Sequence, residues 1–139
     1  MRQKLVSKPA ILCVDDEIVV LDSLKIQLKQ EFGDKYIYEV AESADEALEI
    51  LDELSEDTIE IIVIVSDWLM PGMKGDEFLI EVHKKFPQII KVMLTGQADK
   101  DAIQRANDEA DLHCCIHKPW DGKELVEIIR NAIVKIEQA

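Results

Sequence analysis

Short runs rich in Val and Ile alternate five times with segments of helical periodicity along this chain, and that alternation restricts its fold more than any other feature. The apolar runs are Ala10–Val14, 36–41, 59–65, 89–94 and 112–116. The first, third and fourth are apolar on both faces, as expected of parallel strands covered by helices on either side. Between and after them lie five stretches with apolar residues three and four apart: Ile18–Phe32, 44–54, 76–86, Lys100–Ala110 and 123–136. Ser43 stands where an N-cap belongs, with Glu46 three residues on as its capping-box partner. Pro87 blocks continuation of the third helix. A chain that alternates strand and helix in this way, with right-handed crossovers, forms a doubly wound five-stranded parallel sheet with helices on both faces.

At 139 residues the chain fits one domain, and 47% hydrophobic content is enough to bury a core. The expected layout is a polar N-terminal tail over 1–9 and a single domain over 10–137. A formal net charge of −13 argues against direct binding of nucleic acid or an anionic membrane. No apolar run is long enough to span a bilayer, and residues 1–9 do not read as a signal peptide. The three cysteines, Cys13, Cys114 and Cys115, sit in apolar runs without metal-ligand spacing. They read as small reduced core residues of a cytoplasmic protein. His113 and His117 flank the cysteine pair, but alternate strand residues there bring too few ligands to one face for a metal.

The polar residues that matter fall at the carboxyl ends of the predicted strands. Asp15 and Asp16 follow the first, Asp67 the third, Thr95 the fourth and Lys118 the fifth. In an open α/β sheet that edge is where ligands bind. An Asp at a strand end is commonly a turn former or helix cap; here four separate segments converge. Three crowded carboxylates repel, and one would hold a proton unless a cation intervened. Mg²⁺ suits such a set, because it takes oxygen ligands and bridges to phosphate. One ionised carboxylate could then act as a nucleophile and form an aspartyl-phosphate. Metal and ammonium would stabilise the transferring phosphoryl oxygens, and the Thr95 hydroxyl would hydrogen-bond one of them.

Residues 11–17 (ILCVDDE), 65–72 (VSDWLMPG), 92–96 (VMLTG) and 116–120 (IHKPW) resemble, in order and separation, the signature blocks of bacterial-type two-component response regulator receiver domains. The resemblance covers nearly the whole chain, from about position 10 to about 136. It implies a flavodoxin-like fold with strand order 2-1-3-4-5; that order for receivers is a worked case of the general rule for such sheets. It also implies that Asp67 is the phosphoacceptor. Asp15 and Asp16, the latter more directly, would hold Mg²⁺ with Asp67 and the backbone carbonyl of Leu69. Thr95 matches the switch hydroxyl, Lys118 the lysine that pairs with the phosphoryl group, and Lys118-Pro119 a bond that is cis in the family. Gly72 and Gly75 match a loop beside the site. The implied function is Mg²⁺-dependent phosphoryl transfer from a histidine kinase, a phosphotransfer protein or a small phosphodonor. The modified domain would switch conformation to regulate an output domain or target protein. Such a domain catalyses only its own phosphorylation and dephosphorylation. A homodimer through the fourth helix, fifth strand and fifth helix is within the family's range.

Two departures stand out. Receivers often carry Tyr or Phe three residues before the lysine, and here Cys115 occupies that position. The route left to a signal is the loop after Thr95 and the helix from about Lys100. Leu69 offers no polar handle for a hydrolytic water, whereas Gln97 offers one. Trp120 reads as a half-buried residue at the start of the last helix. Segment 94–99 with Lys118, Pro119 and Trp120 resembles receivers coupled to enzymatic outputs. The rival functions are a Mg²⁺-dependent phosphohydrolase, which needs a second Asp two residues after its nucleophile and a cap, and a phosphorylation-independent interaction module, which typically lacks the acceptor, acidic pair or lysine.

Overall fold

A computed structural model describes residues 8–96 and 100–137. Strands β1 (Ala10–Val14), β2 (Ile37–Ala41), β3 (Ile61–Asp67), β4 (Ile90–Thr95) and β5 (Cys114–His117) alternate with helices α1 (Ile18–Phe32), α2 (Ala44–Glu56), α3 (Gly75–Lys85), α4 (Lys100–Ala110) and α5 (Gly122–Glu137). A short 3-10 turn, Gly33–Lys35, joins α1 to β2. All pairings are parallel and the sheet order is β2-β1-β3-β4-β5, the flavodoxin-like receiver order. The two-residue periodicity of each strand divides the core. Leu12, Val14, Ile64 and Met93 point to one face, where α2, α3 and α4 cover them with Leu51, Phe78, Leu79 and Ala106. Ile11, Cys13, Val63, Val65, Val92 and Leu94 point to the other, under Leu24 and Leu28 of α1 and Leu125 and Ile129 of α5. Both faces of β1 and β3 are therefore dry, the reason those runs are continuously apolar.

Local chemistry fixes the helix ends. The Ser43 hydroxyl accepts from the Glu46 N–H at 3.1 Å, and the Glu46 carboxylate accepts in return from the N–H of Glu42, at 3.0 Å. The reciprocal cap is the expected one, except that its return arm reaches one residue further back. Helix α3 carries Asp76 and Glu77 in its first turn and His83, Lys84 and Lys85 in its last, both complementing the helix dipole. It begins one residue earlier than the periodicity suggested and ends at Lys85, before Phe86 and Pro87.

Two findings depart from the sequence reading. Cys114 and Cys115 are only half-buried, because β5 is an edge strand with β4 as its sole neighbour. Cys13 is the one core cysteine, and burial pushes its thiol up to about 12, so it has no thiolate to react. The second departure is Lys91, a charged residue within the otherwise apolar run 89–94. It is 1% exposed and donates from Nζ to the Ile89 carbonyl at 2.7 Å.

Candidate functional site

Register places the acidic residues together. Val14 of β1 pairs with Ser66 of β3, so the residues that follow, Asp15 and Asp67, lie side by side at the carboxyl edge. A bulge near the start of that ladder, where Ile11 pairs with Val63 rather than with Ile62, sets the level. Asp67 pairs with Leu94 and Thr95 with His117, so Thr95 and Lys118 stand at the same edge on the next two strands. The Lys118 N–H donates to the Thr95 carbonyl at 2.8 Å, which holds the lysine's backbone to the end of β4. The Lys118-Pro119 bond is cis.

Side chains complete the rim. Asp15 is fully buried; its Oδ1 accepts from the Glu17 N–H at 2.8 Å and its Oδ2 lies 2.9 Å from Lys118 Nζ. The same ammonium is 3.1 Å from Asp67 Oδ1. Asp16 is exposed and turns its carboxylate to the same point: ligand oxygens of Asp15, Asp16 and Asp67 all lie within 4.8 Å of one another. Among the described residues no other group of three metal-ligating side chains converges in this way. Above them opens a cleft of about 590 Å³ lined by Asp16, Glu17, Asp67, Leu69, Gly96 and Lys118, among others. Leu69 projects at its rim, 57% exposed.

The electrostatics follow from three carboxylates sharing one ammonium. Burial pushes Asp67 above the usual carboxylate range, and the charge of Asp15 pushes it further. Lys118 pulls it down, Asp16 adds a smaller push, and the net direction is upward. For Lys118 burial acts downward, but hydrogen bonds and charge from Asp15 and Asp67 outweigh it, so the ammonium is held more firmly than a free lysine's. The opposite pulls within one ion pair are consistent, because Asp67 has two like-charged neighbours and Lys118 has two opposite ones. A second cation would relieve the excess negative charge. An all-oxygen donor set of this size is suited to a hard divalent ion such as Mg²⁺.

The loop after Asp67 is tightly held. The Trp68 N–H donates to the Leu94 carbonyl at 2.9 Å, and the Trp68 carbonyl accepts from the Gly75 N–H at 2.7 Å. A Cβ built on Gly75 would collide with the Asp67 carbonyl oxygen and stand 2.8 Å from the Trp68 Cα, so that position needs glycine. Gly72 has φ +83°, a conformation that L side chains rarely adopt. Thus Asp15, Asp16, Asp67, Thr95, Lys118 and Leu69 all reach one edge, while Gln97 lies outside the described residues. Trp120 is half-buried as expected, and its Nε1–H donates to Gln27 Oε1 at 2.7 Å. Sequence reasoning missed Asp76 and Arg105. Asp76 reads as one more helix-starting acid; its burial (5% exposed) is a tertiary property.

A doubly wound domain with an acidic, lysine-bearing pocket at the carboxyl edge of its sheet belongs to a recognisable class of signalling domain. The chain is a member of the response regulator receiver domain family, which it matches over residues 11–130. It is 35% identical over 123 residues to the hydrogenase transcriptional regulatory protein HoxA of Cupriavidus necator, across 88% of this chain and 24% of that protein. It is 34% identical over 126 residues to the sensor kinase CckA of Brucella abortus, across 90% of this chain and 12% of that protein. The chain therefore spans only a minor part of the length of these relatives. Among solved structures, the signal receiver domain of an HD domain-containing protein from Pseudomonas fluorescens superposes with TM-score 0.84 at 28% identity, covering 96% of this chain and all of that one. A CheY-like receiver from Methanospirillum hungatei superposes at 0.83 with 30% identity, covering 95% and 98%. Receiver domains are two-component signalling modules rather than classical enzymes; they bind Mg²⁺ at an acidic pocket and work with histidine kinases and output domains. No described helix is long and apolar enough to cross a membrane.

Proposed function

We propose that this domain is a phosphorylatable switch in which Asp67 accepts a phosphoryl group from a histidine kinase, a phosphotransfer protein or a small phosphodonor. The observation that carries the reading is the placement of Lys118 between Asp15 and Asp67, beside a third carboxylate, at the open edge of the sheet. Asp15, Asp16, Asp67 and the Leu69 backbone carbonyl would hold Mg²⁺, which when bound would offset negative charge on the phosphoryl oxygens. An Asp67 carboxylate oxygen attacks phosphorus in line, the bond from phosphorus to the donor breaks, and its electron pair leaves with the donor. Lys118, already fixed by two acids, pairs with a phosphoryl oxygen, and the Thr95 hydroxyl hydrogen-bonds another. The modified domain then shifts between conformations and changes its affinity for an output domain or target protein, in the cytoplasm, with a homodimer as one form of output.

Intact mass after incubation with acetyl phosphate and Mg²⁺ tests this. One added phosphoryl group is expected on the wild type, none after chelation, and none on Asp67→Asn. An adduct on the Asp67→Asn protein would remove Asp67 as acceptor. Absence of both adduct and beryllofluoride binding would favour a phosphorylation-independent interaction module.

A further inference from the structure

Beside the acceptor, a chain of polar contacts runs from the β3 end to α4. The Trp68 Nε1–H donates to Asp76 Oδ1 at 3.2 Å, and the other oxygen of that carboxylate lies 3.2 Å from Arg105 Nη2. Asp76 is buried, whereas the Arg105 side chain is 49% exposed on α4. Arg105 has a second acid in reach: Glu109, one turn along α4, lies 3.8 Å from its Nε. The guanidinium thus stands between a buried carboxylate and an exposed one. The other end is rigid. Trp68 is the residue after Asp67, and its backbone is pinned by Leu94 and Gly75. Gly75 in turn touches the Asp67 carbonyl so closely that no Cβ fits. A shift of the Asp67–Trp68 backbone must therefore move the indole or the start of α3, and either one carries Asp76 with it.

We infer that Trp68, Asp76 and Arg105 form the coupling between the acceptor and α4, with Arg105 passing between Asp76 and Glu109 as the site changes state. This inference rests on the phosphoacceptor reading. It makes Asp76 and Arg105 positioning residues: neither lies at the reacting atoms, Asp76 follows the Asp67–Trp68 backbone, and Arg105 follows Asp76. By thermodynamic linkage, what the acceptor's state does to α4, α4 does in return to the acceptor's affinity for its ligand.

Hydrogen–deuterium exchange on the full chain, with and without beryllofluoride plus Mg²⁺, separates the possibilities. In the wild type, beryllofluoride is expected to protect residues 68–74 and to change the exchange rate of α4 by about fivefold or more. In Arg105→Ala and in Asp76→Asn, protection of 68–74 should persist while the α4 response disappears. A purely structural role would alter α4 exchange equally with and without beryllofluoride and leave the response intact, which would overturn the coupling. Arg105→Ala alters an exposed side chain, so it keeps the test open should Asp76→Asn fail to fold. Failure to protect 68–74 in the wild type would overturn the phosphoacceptor reading itself, and the coupling with it.

Discussion

The Lys118 ammonium lies 3.1 Å from the Asp67 carboxylate while also lying 2.9 Å from Asp15, so one cation serves two buried acids. Removing it as Lys118→Met leaves both without a cation. Losing one partner of a buried pair costs about 3 kcal/mol in a dry site. Lys118 retains 20% exposure, so the expected loss is nearer ~1–2 kcal/mol. Urea unfolding in chelator reads this directly, and Mg²⁺ should recover part of the loss. An unchanged midpoint would mean that Lys118 does not compensate the acidic pair.

Asp67→Asn should act in the opposite direction. Burial first, then Asp15, raises the Asp67 pKa above that of the unfolded chain, so its ionised form opposes folding. The penalty is absent below about pH 4, where the group is protonated in both states. It grows as pH rises toward the folded value and is complete above it. The variant should therefore be more stable than wild type at pH 7 in chelator, by on the order of 1 kcal/mol. The two should converge in acid, and Mg²⁺ should narrow the gap at pH 7. A less stable variant at pH 7 would contradict this charge balance.

Gly75→Ala should destabilise the protein by about 2 kcal/mol, because the new methyl group meets backbone and not a flexible side chain. The same substitution should reduce phosphoryl incorporation at Asp67, since relief of the clash requires the Asp67–Trp68 backbone to move. Thermal unfolding and intact mass measure the two effects. Wild-type values for both would show that the loop yields more easily than its hydrogen bonds suggest.

Lys91→Met tests the buried lysine of β4. Burial lowers the Lys91 pKa below the ordinary lysine value, with Asp111 opposing more weakly. The protonated form therefore weakens the fold. The full cost is present below the folded pKa and is relieved as pH rises toward the unfolded value of about 10.4. An apolar residue of similar shape should raise stability at pH 7 by about 1 kcal/mol, with an advantage that shrinks as pH rises from neutral toward that unfolded value. Denaturant unfolding across that range decides it; a gap that widens with pH would refute the assignment.

The order of elements, the parallel sheet covered on both faces and the edge to which the acids belong are all legible in the amino-acid sequence. Each of these follows from local pattern: two-residue and 3.6-residue periodicities, a Ser–Glu cap, a Pro after a helix, and polar residues where apolar runs stop. Those patterns place Asp15, Asp16, Asp67, Thr95 and Lys118 at strand ends. Distances and environments arise only when the elements pack together. That Lys118 touches both Asp15 and Asp67, that β5 at the sheet edge leaves Cys114 and Cys115 half-buried, and that Lys91 is sealed inside depend on register and on which helix covers which strand. The path through Trp68, Asp76 and Arg105 was equally invisible. Asp76 and Arg105 are unremarkable charged residues on two separate helices, and only the packing of α3 against α4 buries one and brings the other to it. Periodicity is a property of neighbours along the chain; charge pairing and burial are properties of neighbours in space.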